Sequence, residues 1–91
     1  MHESDEIMPE NFSQLDRLWI SERLKLLDPV TRLKVSKAYD LVFLETWENE
    51  EIDYKKENAA RYAANSRLRK FVERYTESRN VMYITKPEGK Y

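Results

Sequence analysis

The junction Leu27-Asp28-Pro29 constrains this chain more than any other stretch. Asp28 stands where a helix N-cap belongs, its carboxylate within reach of first-turn amides. Pro29 then takes the first helical position, where its missing N–H costs nothing. Because a residue before proline avoids helical geometry, a preceding helix must end by Leu27. A connection this short allows only an αα-corner or a hairpin.

Helical signals continue on both sides of that junction. Upstream, Ser13 is a plausible N-cap with Asp16 three residues on, and Phe12 is placed to pack back as part of a hydrophobic staple. Downstream, "ENEEID" (48–53) interrupts the apolar pattern, and Asp53 can cap a third helix. The expected helices are therefore 14–27, 29–48 and 54–78. With one glycine (Gly89) and three prolines in 91 residues, a β-sandwich or barrel lacks its turn residues. The fold expected is all-α, a three-helix bundle over residues 12–79. Residues 1–11 form a flexible acidic N-terminal arm, and residues 80–91 a docking segment, extended or helical, with a tail. One domain of this length buries only roughly 60–65% of its unfolded surface, so its core is thin.

The apolar positions assign faces. In the first helix Leu15, Leu18, Trp19 and Leu26 share one side, with Ile20, Leu24 and Leu27 widening it, which implies contact on two sides. In the second, Val30, Leu33, Leu41 and Leu44, flanked by Val35, Ala38, Val42 and Phe43, wrap most of the circumference, as in a central buried helix. In the third, Ala60, Ala64, Leu68, Phe71 and Tyr75 form one stripe with Val72 beside it, and Ala59 and Ala63 extend it sideways. Alanine above and bulk below imply a close approach at one end, with Phe43 or Trp47 filling the space over the alanines.

Charge is segregated rather than absent. The net is −1, yet residues 1–28 sum to −4, 29–39 to +3, 40–54 to −6 and 55–91 to +6. No cysteine is present, so disulfides and thiolate metal sites are excluded. The longest apolar run, "LVFL" (41–44), is far too short for a membrane span. The polar, acidic start is unlike a presequence, so a cytoplasmic location and no membrane partner are expected.

Catalytic apparatus is missing from the pattern. The single histidine, His2, lies in the arm, and one glycine cannot build a phosphate-cradling loop. The acids Glu48, Glu50, Glu51 and Asp53 lack the turn-making glycine of a calcium loop and read as a solvated turn. No enzyme activity, cofactor or metal is expected.

Two surfaces are candidates for binding. On the third helix Arg67, Lys70 and Arg74 stand at i, i+3 and i+7, with Lys56 further up the row. Arg61, Asn65 and Arg69 make a second row a quarter-turn away. Arginine with asparagine is the chemistry of phosphate anchoring and base-edge contact, or of an acidic protein partner. Basic residues late in a helix also suit its macrodipole, and the acids of 48–53 would repel phosphates. Asn58 and Asn65, seven residues apart, are read first as amides bonding within the fold. Eleven aromatic rings exceed what three helices bury, so Trp19, Trp47, Tyr54, Tyr62 and Tyr83 are candidates for a protein interface.

The stretch "ENAARYAANSRLRKFVERY", with "LLDPVTRLKVSKAYDLVF" before it, resembles small helical accessory proteins encoded by temperate phages and prophages near replication genes. The likeness spans about residues 24–75 and carries no catalytic residue. It implies an accessory or modulator that binds a host or phage replication protein. That non-enzymatic interaction role is the function expected. Two alternatives stay open: nucleic-acid binding by the basic face of the third helix, and a homodimer that pairs acidic 40–54 with the basic third helix.

Overall fold

The structure, a computed structural model, describes the backbone of residues 6–88 and side chains from residue 6 to residue 79. It is all-α. A 3-10 turn, Gln14–Asp16, leads into α1 (Arg17–Leu24). Helix α2 spans Pro29–Asn49, and a second 3-10 turn, Asp53–Lys55, opens α3 (Lys56–Glu88). Helices α2 and α3 form a long antiparallel hairpin, and the short α1 lies against one side of it.

The punctuation acts as expected at Ser13 and Asp28 but not at Asp53, which is the first residue of the second 3-10 turn rather than its cap; Ile52 holds the cap position, and no side chain caps it. Asp28 is extended (φ −69°, ψ 159°), and its carboxylate accepts from the Thr31 N–H at 3.1 Å and the Thr31 hydroxyl at 2.6 Å. The Tyr75 hydroxyl of α3 also donates to it at 2.9 Å, tying the corner to the third helix. These bonds, the Thr31 hydroxyl foremost, hold the Asp28 carboxyl far below the usual carboxylate range. Arg32 closes the other side of the corner by donating to the Leu24 and Leu27 carbonyls at 2.9 and 2.6 Å. Ser13 caps the first turn, accepting from the Leu15 N–H at 3.2 Å.

The core holds Ile20, Leu24 and Leu27 from the first segment, Tyr39 and Phe43 from α2, and Ala60, Ala64, Leu68 and Val72 from α3. The alanines are buried against large neighbours, as their spacing implied: Tyr39, Phe43 and Trp47 stack in series at 6.2 and 6.0 Å, and the first two are core residues. Trp47 stays at the edge, partly exposed.

Several expectations are corrected. The first helix is α-helical only from Arg17 to Leu24, and it is contacted on one side. Ile20, Leu24 and Leu27, expected to widen its apolar face, are the buried ones, whereas Leu15, Leu18 and Leu26 are 76%, 71% and 52% exposed. Periodicity finds a stripe but carries no sign, and two equivalent stripes 180° apart cannot be ranked without a partner. Helix α2 is not central. It buries only Ser36, Tyr39 and Phe43, leaving Val30, Leu33, Leu41 and Leu44 in solvent, because among the described residues no further helix covers that side.

The third helix runs ten residues past the expected stop at Ser78, to Glu88. At 1.5 Å per residue it is about 50 Å long against about 31 Å for α2. The expected arm is also corrected over residues 6–11, which lie docked. The Asp40 carboxylate accepts from the Glu10 N–H at 2.8 Å, the Asn11 N–H at 2.6 Å and the Asn11 side-chain amide at 3.2 Å. Pro9 is buried and Met8 packs on the core. The Ser21 hydroxyl donates to Glu6 at 2.6 Å, and Arg17 pairs with the same carboxylate at 3.3 Å. Residues 1–5 and 89–91 of the expected arm and tail lie outside the described residues.

Candidate functional site

The basic residues expected to act together are divided by the fold. Arg61 and Asn65 face the 3-10 turn that leads into α1, where Asp16 is nearly buried. Arg61 Nε donates to Asp16 Oδ2 at 2.8 Å and Nη2 to Oδ1 at 2.9 Å, a two-pronged grip. Asn65 Nδ2 donates to Asp16 Oδ2 at 2.9 Å, and the Tyr39 hydroxyl donates to Asn65 Oδ1 at 2.6 Å. This network joins all three helical segments. The hydrogen bonds from Arg61, then that from Asn65, hold the Asp16 carboxyl below its usual range against the cost of burial. Burial, aided by the Asp16 charge, pushes the Tyr39 phenol well up. Arg61 and Asn65 therefore belong to the scaffold. Asn58 supports them by accepting from Arg61 Nη1 at 3.3 Å.

Two other expected members of the basic face are also occupied. Arg69 lies 3.7 Å from Glu73, one turn along the same helix. Lys56 donates to the carbonyls of Trp47 and Glu50, at 3.0 Å for the first, and so satisfies the end of α2.

Arg67, Lys70 and Arg74 remain. All three are exposed, and none forms an ion pair among the described residues. They border a groove between α2 and α3 on the side that α1 does not cover. Its volume is about 400 Å³. Val35, Ala38 and Val42 of α2 form one wall, Ala64, Leu68 and Phe71 of α3 the other, with Tyr39 at the base. Lys34 and Arg67 stand at its rims. Lys70 and Arg74 follow Arg67 at i+3 and i+7 and so extend the same basic edge.

Of the aromatic candidates the fold brings Trp19 and Tyr62 together. Trp19 is half-buried against the core and meets Asp16, Arg61 and Tyr62 around a shallow polar depression. Tyr54 and Tyr62 are exposed, Trp47 is partly so, and the four do not meet in one patch. Tyr83 lies beyond the residues whose side chains are described. The residues that sequence reasoning missed are Lys34, Val35, Ala38, Val42 and Phe71 as a set. A signal existed: α2 carries apolar residues around most of its circumference, more than two neighbouring helices can cover.

Among the described residues no three His, Cys, Asp or Glu side chains converge as a metal site requires. No described helix is long and apolar enough to cross a membrane. Fold and groove together define a helical hairpin braced on one face and open on the other. No family model, curated protein or solved structure matches the chain.

Proposed function

We propose that the chain is a non-enzymatic protein-interaction module that receives an apolar segment of a partner in the open α2/α3 groove. The observation that carries this reading is a pair of apolar walls, with Val35, Ala38, Val42 and Phe71, beside four cations that form no ion pair among the described residues, Lys34, Arg67, Lys70 and Arg74. A groove between two helices suits a third amphipathic helix, with anchors at i, i+3 or i+4, and i+7. The basic edge selects for acidic residues flanking those anchors and raises the encounter rate. The resemblance to phage-encoded accessory proteins makes a replication protein or host factor the class of partner.

Panning a library of helical peptides against the full chain tests the proposal. Enriched sequences should combine apolar anchors with acidic flanks and lose affinity for Arg67→Glu and Phe71→Ala variants. Binding indifferent to both substitutions, or no enrichment, would sink it. Affinity for duplex DNA that falls as a steep power of salt concentration would favour the nucleic-acid alternative instead.

A further inference from the structure

The face of α2 that points away from both α1 and α3 carries four aliphatic residues: Val30, Leu33, Leu41 and Leu44 are 63%, 48%, 69% and 42% exposed. They fall into two exposed pairs, Val30 with Leu33 and Leu41 with Leu44, and apolar surface of this density on one helix face points to an interaction site. The charges on the same face say what covers it. Lys34 and Lys37 precede Leu41, and Glu45 and Glu48 follow it. All four are exposed, and none forms an ion pair among the described residues.

Their spacing is symmetric about Leu41. Lys37 and Glu45 lie four residues to either side, and Lys34 and Glu48 seven. At 1.5 Å per residue these are offsets of about 6 Å and about 10 Å. Ala38 and Leu44 lie three residues to either side, so a small residue mirrors a large one. In a two-fold interface, if residue i meets residue j of the copy, then j also meets i. A helix with this pattern is its own complement when it lies antiparallel to a copy. A parallel arrangement would instead set lysine on lysine and glutamate on glutamate.

We propose that α2 is the self-interface of a homodimer, pairing antiparallel with its copy across a two-fold axis at Leu41. Leu41 meets its equivalent at the axis, Leu44 seats over Ala38 of the copy, and Lys37 and Lys34 pair with Glu45 and Glu48 of the copy. This differs from a pairing of the acidic segment with α3, and it leaves the α3 edge of the groove free. Lys34 and Ala38 border both surfaces, whereas Lys37, Leu41 and Glu45 are outside the groove.

Sedimentation velocity of the full chain from about 1 to about 500 μM reads the association directly. The expected result is a reversible dimer that Leu41→Glu abolishes. Lys37→Glu alone and Glu45→Lys alone each place like charges in register twice and should weaken the dimer about tenfold or more. An equimolar mixture of those two variants restores opposite charges at both positions and should recover wild-type affinity as a heterodimer. That recovery also shows that each variant is folded. A monomer throughout, a dimer indifferent to Leu41→Glu, or a mixture no tighter than either variant alone would overturn the proposal.

Discussion

Asp16 and Arg61 meet across 45 residues of sequence, the guanidinium holding both carboxylate oxygens at 2.8 and 2.9 Å. The pair fastens the start of the first helical segment to the first half of α3, and Asn65 links it to Tyr39 of α2. One acidic residue of the 3-10 turn thus sets where the short helix lies on the hairpin. It also commits the Arg61 guanidinium to the fold, with 28% of the side chain still exposed.

Asp16→Asn is expected to cost about 2 kcal/mol, the loss of charge-assisted hydrogen bonds in a mostly dehydrated setting. The figure sits below that of a fully buried pair because the Arg61 side chain keeps 28% of its exposure. Urea unfolding at neutral pH measures it, and an effect under half a kcal/mol would contradict the structural role given to the network.

The same carboxylate gives stability a pH dependence. Its folded-state pKa lies below the ordinary 3.8, so the unfolded chain takes up the proton first on acidification. The contribution is complete above that value and fades as pH falls through the lower folded value. Unfolding free energy of the wild type should therefore drop more steeply below about pH 4 than that of Asp16→Asn. Parallel profiles for the two proteins would show that Asp16 titrates normally.

Ala64 and Leu68 are neighbours on one buried stripe with opposite tolerances. Ala64→Leu forces extra volume into the close approach of α2 and α3 and should cost about 1–3 kcal/mol. Leu68→Ala empties a filled position and should cost about 2–5 kcal/mol. Thermal unfolding of both variants checks the pair; a neutral Ala64→Leu would mean that the helices are not in close contact there.

Asp40 accepts three hydrogen bonds from Glu10 and Asn11, so Asp40→Ala should release the N-terminal segment locally. Hydrogen exchange at the Glu10 and Asn11 amides is expected to accelerate, with little change in the amides of α3. Uniform loss of protection would instead make the segment part of the global folding unit.

Two arginines six residues apart on α3 should behave oppositely. Arg67→Gln, at the groove rim, is expected to shift stability by less than about 0.5 kcal/mol, as exposed substitutions do. Arg61→Gln should lower the unfolding midpoint clearly, since it breaks the grip on Asp16. Equal midpoints would place both residues in solvent.

Local chemistry made much of the fold legible. Caps and a proline are read within three or four residues, so Ser13, Asp28 and Pro29 mark the starts of the first helical turn and α2 correctly. The upper part of the expected stripe, Ala60, Ala64 and Leu68, likewise needs only the helical period and is buried, but Val72 continues it in the core while Phe71 stays 40% exposed. The basic row Arg67–Lys70–Arg74 is exposed where the period puts it. In the other row Asn65 bonds within the fold as expected, while Arg61 turns inward because its partner, Asp16, lies 45 residues away and reads locally as a helix-capping acid.

The sequence by itself determined that there are three helical segments, where the second begins, and which residues share a side of each. Those properties depend on backbone sterics and on a fixed angular repeat. Only the tertiary structure decided which side of each helix turned inward. A short α1 can cover just one face of the α2/α3 hairpin, and the Asp16 network selects which. The aliphatic side of α2 and the groove beside Arg67 are exposed for that reason, being apolar surface that no further element covers among the described residues.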